Sequence, residues 1–305
     1  MTMRVFLLGA GYSAQAYARL IAGGADAVVG TTRSPRKADI LKTAGILPLV
    51  FDGEAISPAM AAELAKATHL VVSAAPEPMP PPRALSVAPL LRLLPGDLRT
   101  AMSALEWVGY LSTVGVYGNH DGAWVDEEGE LRPVSARSTA RVAAERDWLA
   151  AGDAANVPVA VLRLSGIYGP GRNALANLAG GTARRTVKPG QVFNRIHVAD
   201  IAGALAFLGE RRIGGVFNVT DDEPGPPQDV VTYAAALMGV EPPPEVPYDR
   251  VEMTPMARSF WSDNKRVSNA RLKAAGYRFR FPDHRLALDT MWRDGTWQGG
   301  AEDGG

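Results

Sequence analysis

The chain of 305 residues contains no cysteine, so disulfide bonds, thiolate nucleophiles and thiolate metal sites are excluded. It has no excess of charge of either sign, because 32 basic and 32 acidic residues give a formal net charge of zero. No long-range field therefore favours nucleic acid or an anionic membrane as a partner. No apolar stretch approaches the roughly 18 residues that a transmembrane helix needs.

Other kinds of site are also missing from the pattern. The four histidines are scattered, and since no pair has the spacing of metal ligands, we expect no metal. No serine stands in the pattern of a nucleophile elbow, so nothing supports hydrolysis. We interpret the short apolar run near the first residue as a strand rather than a signal peptide, and we expect a cytoplasmic protein.

Short apolar segments alternate with helical segments through the first half of the chain. The predicted strands are 4–9, 27–31, 46–51, 70–74, 107–112 and 159–164. The predicted helices between them are 13–22, 36–44, 58–67, 85–94, 97–104 and 138–151. This alternation predicts an α/β fold, a Rossmann-type doubly wound parallel sheet. The second half is richer in glycine and proline, which predicts a smaller C-terminal substrate-binding part.

The predicted domain boundaries follow this change of character. We predict an NAD(P)-binding Rossmann domain over 1–168, to which 194–218 return. The substrate-binding part takes 169–193 and 219–290, and a glycine-rich acidic tail over 291–305 is expected to be disordered. The proline-rich stretch 77–83 predicts a stiff connector, with a recognition motif for a partner domain as the alternative.

The first predicted strand ends in a glycine-rich turn, Gly9-Ala10-Gly11-Tyr12-Ser13-Ala14. Gly9 allows a sharp turn of the backbone, and Gly11 lacks the β-carbon that would hold a pyrophosphate away from the start of the helix. Ala14 takes the place of the third glycine of the dinucleotide-binding pattern. Because the turn joins a strand to a helix, we predict a dinucleotide site with Gly9, Gly11, Tyr12, Ser13 and Ala14 as contacts. The alternative is a plain turn that uses glycine for its backbone conformation.

The end of the second predicted strand lacks the carboxylate that selects NAD by binding the ribose 2′-hydroxyl. Thr32 and Arg33 stand there instead, followed by Arg36 and Lys37. A guanidinium binds a 2′-phosphate through a planar fork of donors, so we expect NADP, with NAD as the second possibility. A solvated basic helix start is the other interpretation. The remaining predicted cofactor contacts follow the third and fourth strands, at Asp52, Ala74 and Ala75.

Four later motifs occur in a fixed order along the chain. They are Leu-Ser-Thr-Val-Gly-Val-Tyr-Gly at 111–118, Arg-Leu-Ser-Gly-Ile-Tyr-Gly-Pro-Gly at 163–171, Arg-Ile-His-Val-Ala-Asp-Ile-Ala at 195–202 and Gly-Val-Phe-Asn-Val at 215–219. In this order they resemble the extended short-chain dehydrogenase/reductase family, the NAD(P)-dependent sugar-nucleotide epimerases and dehydratases. The resemblance covers nearly the whole chain. It implies the fold more strongly than the reaction.

The resemblance also implies a catalytic tyrosine and a lysine four residues apart on one helix. In the family the tyrosine transfers a proton, and the lysine lowers its pKa and holds the nicotinamide ribose. Counted from the shared Ala144-Glu145, the two positions carry Arg137 and Arg141 in this chain. A guanidinium stays protonated at physiological pH, so Arg137 cannot act as a general base, whereas Arg141 can still hold the ribose. The alternative is an exposed charge ladder of Arg137, Arg141 and Glu145 on one helix face.

The other candidate catalytic residues are Thr113 and Tyr117. Thr113 matches the family's serine or threonine and is expected to bind a substrate oxygen, unless the backbone satisfies it. Tyr117 is the nearest alternative proton donor, and packing is its alternative role. The substrate-binding candidates are Tyr168, Asn173 and Arg185, in or beside the insertion that faces the substrate in the family. Cations there suit an anionic substrate, whereas a basic surface loop is the alternative.

Two functions follow from this pattern. The first is an atypical short-chain dehydrogenase/reductase, an oxidoreductase or epimerase/dehydratase acting on a sugar-like or nucleotide-linked small molecule. The second is a catalytically impaired NADP-binding sensor or scaffold, which the loss of the tyrosine–lysine pair favours. By analogy with the family, we expect a homodimer formed through the helices over 85–104 and 138–151.

Overall fold

A computed structural model describes residues 3–76 and 88–299 of the chain. The proline-rich connector predicted over 77–83 and the end of the predicted tail, 300–305, lie outside these ranges.

Strands and helices alternate along most of the described ranges. In chain order, the strands are β1 (Arg4–Leu8), β2 (Ala27–Thr32), β3 (Leu47–Val50), β4 (His69–Val72), β5 (Trp107–Thr113), β6 (Trp124–Val125), β7 (Val159–Leu164), β8 (Gly166–Tyr168), β9 (Arg185–Val187), β10 (Arg195–His197), β11 (Gly215–Val219), β12 (Glu245–Pro247) and β13 (Arg266–Val267). The helices are α1 (Tyr12–Ile21), α2 (Arg36–Thr43), α3 (Pro58–Lys66), α4 (Pro89–Leu93), α5 (Leu98–Ala101), α6 (Ala136–Ala155), α7 (Ala174–Ala179), α8 (Val198–Glu210), α9 (Pro227–Met238), α10 (Pro255–Ser262), α11 (Ala270–Ala274) and α12 (His284–Arg293).

Seven strands form one sheet in the order β3-β2-β1-β4-β5-β7-β11. The pairings of β3 with β2, β2 with β1, β1 with β4 and β4 with β5 are all parallel. The chain therefore runs outward from β1 to one edge and then crosses back to build the other half. Ligands of such sheets bind at the carboxyl ends of the strands, beside the point where the order reverses. This topology confirms the predicted Rossmann-type fold.

The helix boundaries follow capping residues that the sequence supplies. The Ser57 hydroxyl accepts the N–H of Met60 at 3.2 Å at the start of α3. The Ser135 hydroxyl accepts the N–H of Ser138 at 3.1 Å at the start of α6. That helix ends at Asn156, which adopts the left-handed conformation with φ of 50°. Short polar side chains thus fix where these helices begin and end.

The chain divides into two compact units. The first comprises 1–116, 133–163 and 201–217, and the second comprises 117–132, 164–200 and the residues from 218 onward. Relative to the predicted boundaries, the second unit additionally takes 117–132, 164–168, 194–200 and Asn218. In the first unit, the core lies around the central strands and includes Phe6, Val72, Val108, Tyr110 and Trp148.

The core of the second unit is formed by Leu175, Ala234, Leu288 and Met291. Helix α12 continues to Arg293, and the carbonyl of Trp297 accepts a hydrogen bond of 2.7 Å from the Asn173 side chain. The expectation of a disordered tail therefore fails for 291–299, because Met291 is a core residue and Trp297 is hydrogen-bonded. Within 3–76 and 88–299, no helix has both the length and the apolar character needed to cross a membrane.

Candidate functional site

The turn after β1 is shaped by a close approach of two strand ends. Gly9 has a φ of +86°, and a β-carbon on it would lie 2.8 Å from the backbone nitrogen of Ala74. Both the left-handed conformation and the close contact require glycine. The structure thus brings Gly9 and Ala74, which were predicted separately, to one point at the carboxyl ends of β1 and β4, with Ala75 exposed next to it.

Gly11 stands at the N-cap of α1 with ordinary backbone angles, φ of −83° and ψ of −169°. No side chain caps this helix, and its first turn contains no acidic residue. A β-carbon on Gly11 would meet no other side chain or element within 4 Å in the described ranges, so, as far as these residues define it, the space in front of the helix start is open. Ser13 and Ala14 are buried behind it, whereas Tyr12 is partly exposed. The open, uncapped helix start fits a diphosphate.

Thr31 holds this turn in place and was missed by the sequence analysis. Its hydroxyl accepts the N–H of Gly9 at 2.7 Å, and its carbonyl accepts the N–H of Ala10 at 2.8 Å. The preceding Gly30 leaves room for the turn, since a β-carbon there would lie 2.7 Å from Ile46 and 3.0 Å from Ala10. The available signal in the sequence was a threonine within an apolar strand, because a buried hydroxyl needs a hydrogen-bond partner.

The segment after β2 carries the residues predicted to choose between NAD and NADP. The Thr32 hydroxyl accepts the N–H of Ser34 at 3.2 Å and closes a tight turn. Arg33 is exposed and has no hydrogen bond or ion pair with any described residue. Asp52, predicted as a cofactor contact, accepts the N–H of Glu54 at 2.9 Å and so closes a turn after β3. The guanidinium of Arg33 is therefore unpaired, within the described ranges, at the end of β2.

Thr113 lies at the end of β5, where both of its predicted roles remain open. Its hydroxyl oxygen accepts the N–H of Gly115 at 3.1 Å. A hydroxyl that accepts one bond still has its own proton to donate. Thr113 is half-buried, and its hydroxyl donates no hydrogen bond to another described residue. The hydroxyl can therefore donate to a substrate oxygen.

Arg141, at the family's lysine position, is directed back onto β5. Its Nη1 donates to the carbonyl oxygen of Leu111 at 2.5 Å and to the Tyr110 hydroxyl at 3.3 Å. The guanidinium carbon lies 5.8 Å from the centre of the Tyr110 ring. Burial raises the pKa of Tyr110, and the Arg141 charge opposes this shift. At least one nitrogen of Arg141 is thus committed to the strand backbone.

The helix that carries Arg141 does not form the exposed charge ladder that was the alternative interpretation. Arg137 is exposed in its first turn, but Glu145 is buried. The Glu145 carboxylate accepts from Arg163 Nη2 at 2.8 Å and from the Ser112 hydroxyl. The ladder interpretation is therefore wrong at Glu145, because its partners lie on β7 and β5 rather than one turn away on the helix.

Tyr117 takes the packing role rather than the catalytic one. The side chain is fully buried, and its hydroxyl donates to Asn218 Oδ1 at 2.8 Å. The Asn218 side chain in turn donates to the carbonyl of Ser268 at 3.0 Å, and its N–H donates to the Glu127 carboxylate at 2.8 Å. The Tyr117 proton is held inside a buried network, which corrects the expectation that it is a proton donor.

Asn173 and Arg185, two of the substrate-binding candidates, also have structural partners. Asn173 is buried at the N-cap of α7, accepts the N–H of Ala176 at 3.0 Å and donates to the carbonyl of Gly169 at 2.8 Å. Arg185 donates to the carboxylate of Glu245 at 2.6 Å and to the carbonyl of Pro243 at 3.2 Å. The side chain of Asn173 is thus fully engaged in the second unit, contrary to the prediction. The Nε of Arg185 is buried without a partner in the described ranges, so substrate binding by Arg185 stays a prediction.

Tyr168, the third candidate, lies among buried groups whose hydrogen bonding is incomplete. Its ring packs edge-on against His197 with 5.3 Å between centroids, and its hydroxyl has no partner among the described residues. Burial raises the pKa of Tyr168, and the nearby Asp221 and Asp200 carboxylates add to this shift. The Tyr168 hydroxyl therefore remains able to bind a polar group.

Asp221 was not recognised in the sequence. It is 1% exposed, and one carboxylate oxygen has no partner in the described ranges. Burial raises its pKa to about 8, against the opposing effect of the Arg195 guanidinium. The same desolvation lowers the pKa of His197 to about 4, assisted by Arg280. The signal in the sequence was only a pair of aspartates shortly after β11, which is usually a solvated turn.

Comparison with known proteins agrees with this fold. The model of the NAD dependent epimerase/dehydratase family matches residues 98–220. A solved structure of a conserved protein of unknown function from Silicibacter pomeroyi is 43% identical, covers 96% of this chain and 99% of that chain, and has a TM-score of 0.81. Human epimerase family protein SDR39U1 (isoform 2), solved with NADPH, is similar in fold, at 20% identity over 96% of this chain and 100% of that chain and a TM-score of 0.70.

One curated relative has a reaction in its name. A 3-diazoavenalumate denitrifying reductase from a Streptomyces species is 31% identical over 52% of this chain and 52% of its own length. This chain spans about half the length of the curated relatives that it matches, 47% of one and 52% of another.

Proposed function

We propose that this chain, whose residues 98–220 match the model of the NAD dependent epimerase/dehydratase family, is an NADP-binding atypical short-chain dehydrogenase/reductase. We propose further that it acts as an oxidoreductase or epimerase/dehydratase on a sugar-like or nucleotide-linked substrate. The observation that carries the proposal is the open space beside Gly11 at the uncapped start of α1. The N–H groups of Ser13 and Ala14 in that turn suit a pyrophosphate, and no acidic side chain in that first turn opposes it.

Preference for NADP over NAD rests on Arg33. Its exposed guanidinium has no partner among the described residues, and it stands where NAD-binding proteins of this fold carry a carboxylate. A planar fork of donors suits the additional 2′-phosphate of NADP. The human structural neighbour holds NADPH, and the name of the Streptomyces relative describes a reductase. Both are consistent with a reduced nicotinamide cofactor in this chain.

Residues of the first unit would have the following roles in cofactor binding and catalysis. The turn at Gly9 to Ala14 binds the diphosphate, and Arg33 binds the 2′-phosphate. The bound nicotinamide supplies or accepts a hydride. Thr113 donates its free hydroxyl proton in a hydrogen bond that orients a substrate oxygen. Arg137, at the family's tyrosine position, carries a guanidinium instead of a phenol and is therefore given no proton-transfer role.

Cofactor titrations test the choice of nucleotide. We expect NADPH to bind more tightly than NADH to the unmodified protein. Arg33→Ala should weaken NADPH binding by about 10-fold or more, the value of a charged hydrogen-bond pair, and leave NADH binding unchanged. Arg146→Ala is the matched control, since Arg146 is an exposed arginine on α6 with a side chain 78% exposed. Tighter binding of NADH by the unmodified protein would contradict the assignment.

A second candidate function is an NADP-binding sensor or scaffold without turnover. It is favoured by the hydrogen bond from Arg141 to the Leu111 carbonyl, which engages the side chain at the family's lysine position. Single-turnover absorbance of bound NADPH, with sugar nucleotides and small carbonyl compounds as substrates, separates the two. Oxidation with any of them supports the enzyme. Binding without oxidation, together with partner affinity that depends on the cofactor's oxidation state, supports the sensor.

The predicted homodimer is a separate proposal about the same protein. It assigns the contact to the helices over 85–104 and 138–151, of which α4, α5 and α6 are described. Sedimentation of the full chain across a concentration series tests it, with a reversible monomer–dimer equilibrium as the expected result.

A further inference from the structure

A surface cavity of about 560 Å³, open to solvent, lies in the second unit between the segment that follows β5 and Ser268. Its lining includes His120, Trp124, Asp126, Glu130, Arg132 and Ser268. None of these residues belongs to the cofactor turn or to the candidate catalytic set. The volume is within the range of about 300–1,000 Å³ that small-molecule pockets occupy.

Trp124 gives this cavity an aromatic wall. Its side chain is 61% exposed, whereas Trp107, Trp148 and Trp261 are buried, and the two remaining tryptophans are partly buried. The cause is local, because successive residues of a strand face opposite sides and Val125 takes the buried side of β6. An exposed indole face binds the C–H face of a saturated ring or a cation.

The segment that presents Trp124 is held rigidly. The carbonyl of Asn264 accepts the N–H groups of His120 at 2.9 Å and Gly122 at 3.0 Å. On the other side, β6 pairs in parallel with β13, and the N–H of Ser268 donates to the carbonyl of Val125 at 2.8 Å. A binding wall that is already ordered loses little conformational entropy when a ligand binds.

The polar groups of the cavity have more free acceptors than donors. His120 Nε2 lies 3.2 Å from the Glu130 carbonyl, which can only accept, so in the neutral ring Nε2 holds the proton and Nδ1 is a free acceptor. Arg132 gives Nε and Nη2 to one oxygen of the Glu130 carboxylate, at 2.9 Å and 2.7 Å. Asp126 accepts the N–H of Glu128 at 3.0 Å with one oxygen. Its second oxygen has no hydrogen bond with any residue of the described ranges.

The charged side chains that line the cavity also restrict the charge of the ligand. The lining holds two carboxylates, Glu130 and Asp126, and one cation, Arg132, so its own net charge is negative, while Asp126 also interacts with the charge of Arg271 outside the lining. Phosphorylated and other anionic ligands are therefore disfavoured. A ligand that suits the cavity offers an apolar ring face to the indole and several hydroxyl donors to the acceptors.

We infer that this cavity binds an uncharged sugar ring, with its C–H face on Trp124 and its hydroxyl groups donating to Asp126 and His120. The inference is independent of the proposed cofactor chemistry, because it uses no residue of the turn at Gly9 to Ala14. It adds a carbohydrate-binding site in the second unit.

Saturation-transfer NMR on the full chain tests the site, with methyl β-glucoside, methyl β-galactoside and N-acetylglucosamine as probes at millimolar concentration. We expect transfer to the ring protons of at least one probe. Trp124→Ala should weaken that binding by about 10-fold, and Trp124→Phe by less, because the phenyl ring keeps a smaller face. Asp126→Asn should weaken it by a smaller factor, since the amide keeps one acceptor.

Phe260→Ala is the matched control, since Phe260 is an aromatic side chain 63% exposed outside the cavity, and should leave binding unchanged.

Melting curves and NADPH titrations accompany each variant, so that a folding defect is recognised separately. The absence of transfer to every glycoside would overturn the inference. Binding that is the same in Trp124→Ala and the unmodified protein would also overturn it. Displacement of the glycosides by glucose 6-phosphate at lower concentration would contradict the charge argument and with it the assignment. Loss of NADPH binding with glycoside binding intact would count only against the proposed function.

Discussion

Arg163 donates to the carboxylate of Glu145 from Nη2 at 2.8 Å and from Nε at 3.2 Å, and their side chains are 6% and 5% exposed. The Ser112 hydroxyl donates to the same carboxylate. Three elements, α6, β7 and β5, are thereby joined at one buried charge. Since Thr113 follows Ser112 on β5 and Arg141 precedes Glu145 by one turn on α6, this ion pair positions two candidate site residues.

Breaking this pair should destabilise the first unit strongly. Glu145→Gln leaves the Arg163 charge buried without its counter-ion, and we expect the free energy of unfolding to fall by about 3–5 kcal/mol. Chemical denaturation followed by circular dichroism measures the change. The matched control is Asp39→Asn, whose pair with Lys42 is exposed and should contribute less than about 1 kcal/mol. Equal effects of the two substitutions would contradict a structural role for the buried pair.

The two glycines of the first turn should respond differently to the same substitution. Gly9→Ala forces a β-carbon to within 2.8 Å of the Ala74 nitrogen at a φ of +86°, so we expect about 1–3 kcal/mol less stability. Gly11→Ala meets no atom and should fold normally, but its methyl group occupies the space assigned to the diphosphate. We expect unchanged melting and NADPH binding weaker by about 10-fold. Unchanged NADPH binding in Gly11→Ala would remove the main support for the cofactor site.

Tyr117→Phe should affect stability and leave chemistry unaffected. Loss of the hydroxyl leaves the buried Asn218 oxygen without its donor, which is expected to cost about 1–3 kcal/mol. Thermal unfolding measures this loss. Once an active substrate is known, the turnover of the folded fraction should equal that of the unmodified protein. A large loss of turnover with unchanged melting would restore Tyr117 as a proton donor.

Asp221 should make stability depend on pH. Its pKa of about 8 in the folded state lies above the value of about 4 in an unfolded chain. Between these values the folded state binds more protons than the unfolded state, so this contribution to stability falls as pH rises from about 4 to about 8. Asp221→Asn removes the effect and should be the more stable protein at pH 8, by on the order of 2 kcal/mol.

The control for this prediction is the same comparison at lower pH. Urea denaturation at pH 5 and pH 8 should show a larger advantage of the variant at pH 8. The His197 pKa of about 4 acts in the opposite sense, because stability from this residue falls as pH drops below about 6.5. That contribution is common to both proteins and cancels in the difference. An advantage that is equal at both pH values would show that Asp221 is ionised throughout.

The sheet and the first turn were predictable because their causes are local. A run of apolar residues forms a strand covered on both faces, and Gly9 is required by the conformation of its own backbone. The absence of a carboxylate after β2 could likewise be read directly from neighbouring residues. These features depend on residues close together in the chain.

The roles of individual polar side chains were decided by tertiary structure. The Tyr117 partner Asn218 is 101 positions away, the Asn173 partner Trp297 is 124 positions away, and the Glu145 partner Arg163 is on another element. The sequence by itself determined the fold and the strand–turn–helix at Gly9 to Ala14, since both follow from apolar periodicity and from glycine. Only the folded chain decided which polar groups are buried with partners and which stay open, because a hydrogen bond depends on distance in space.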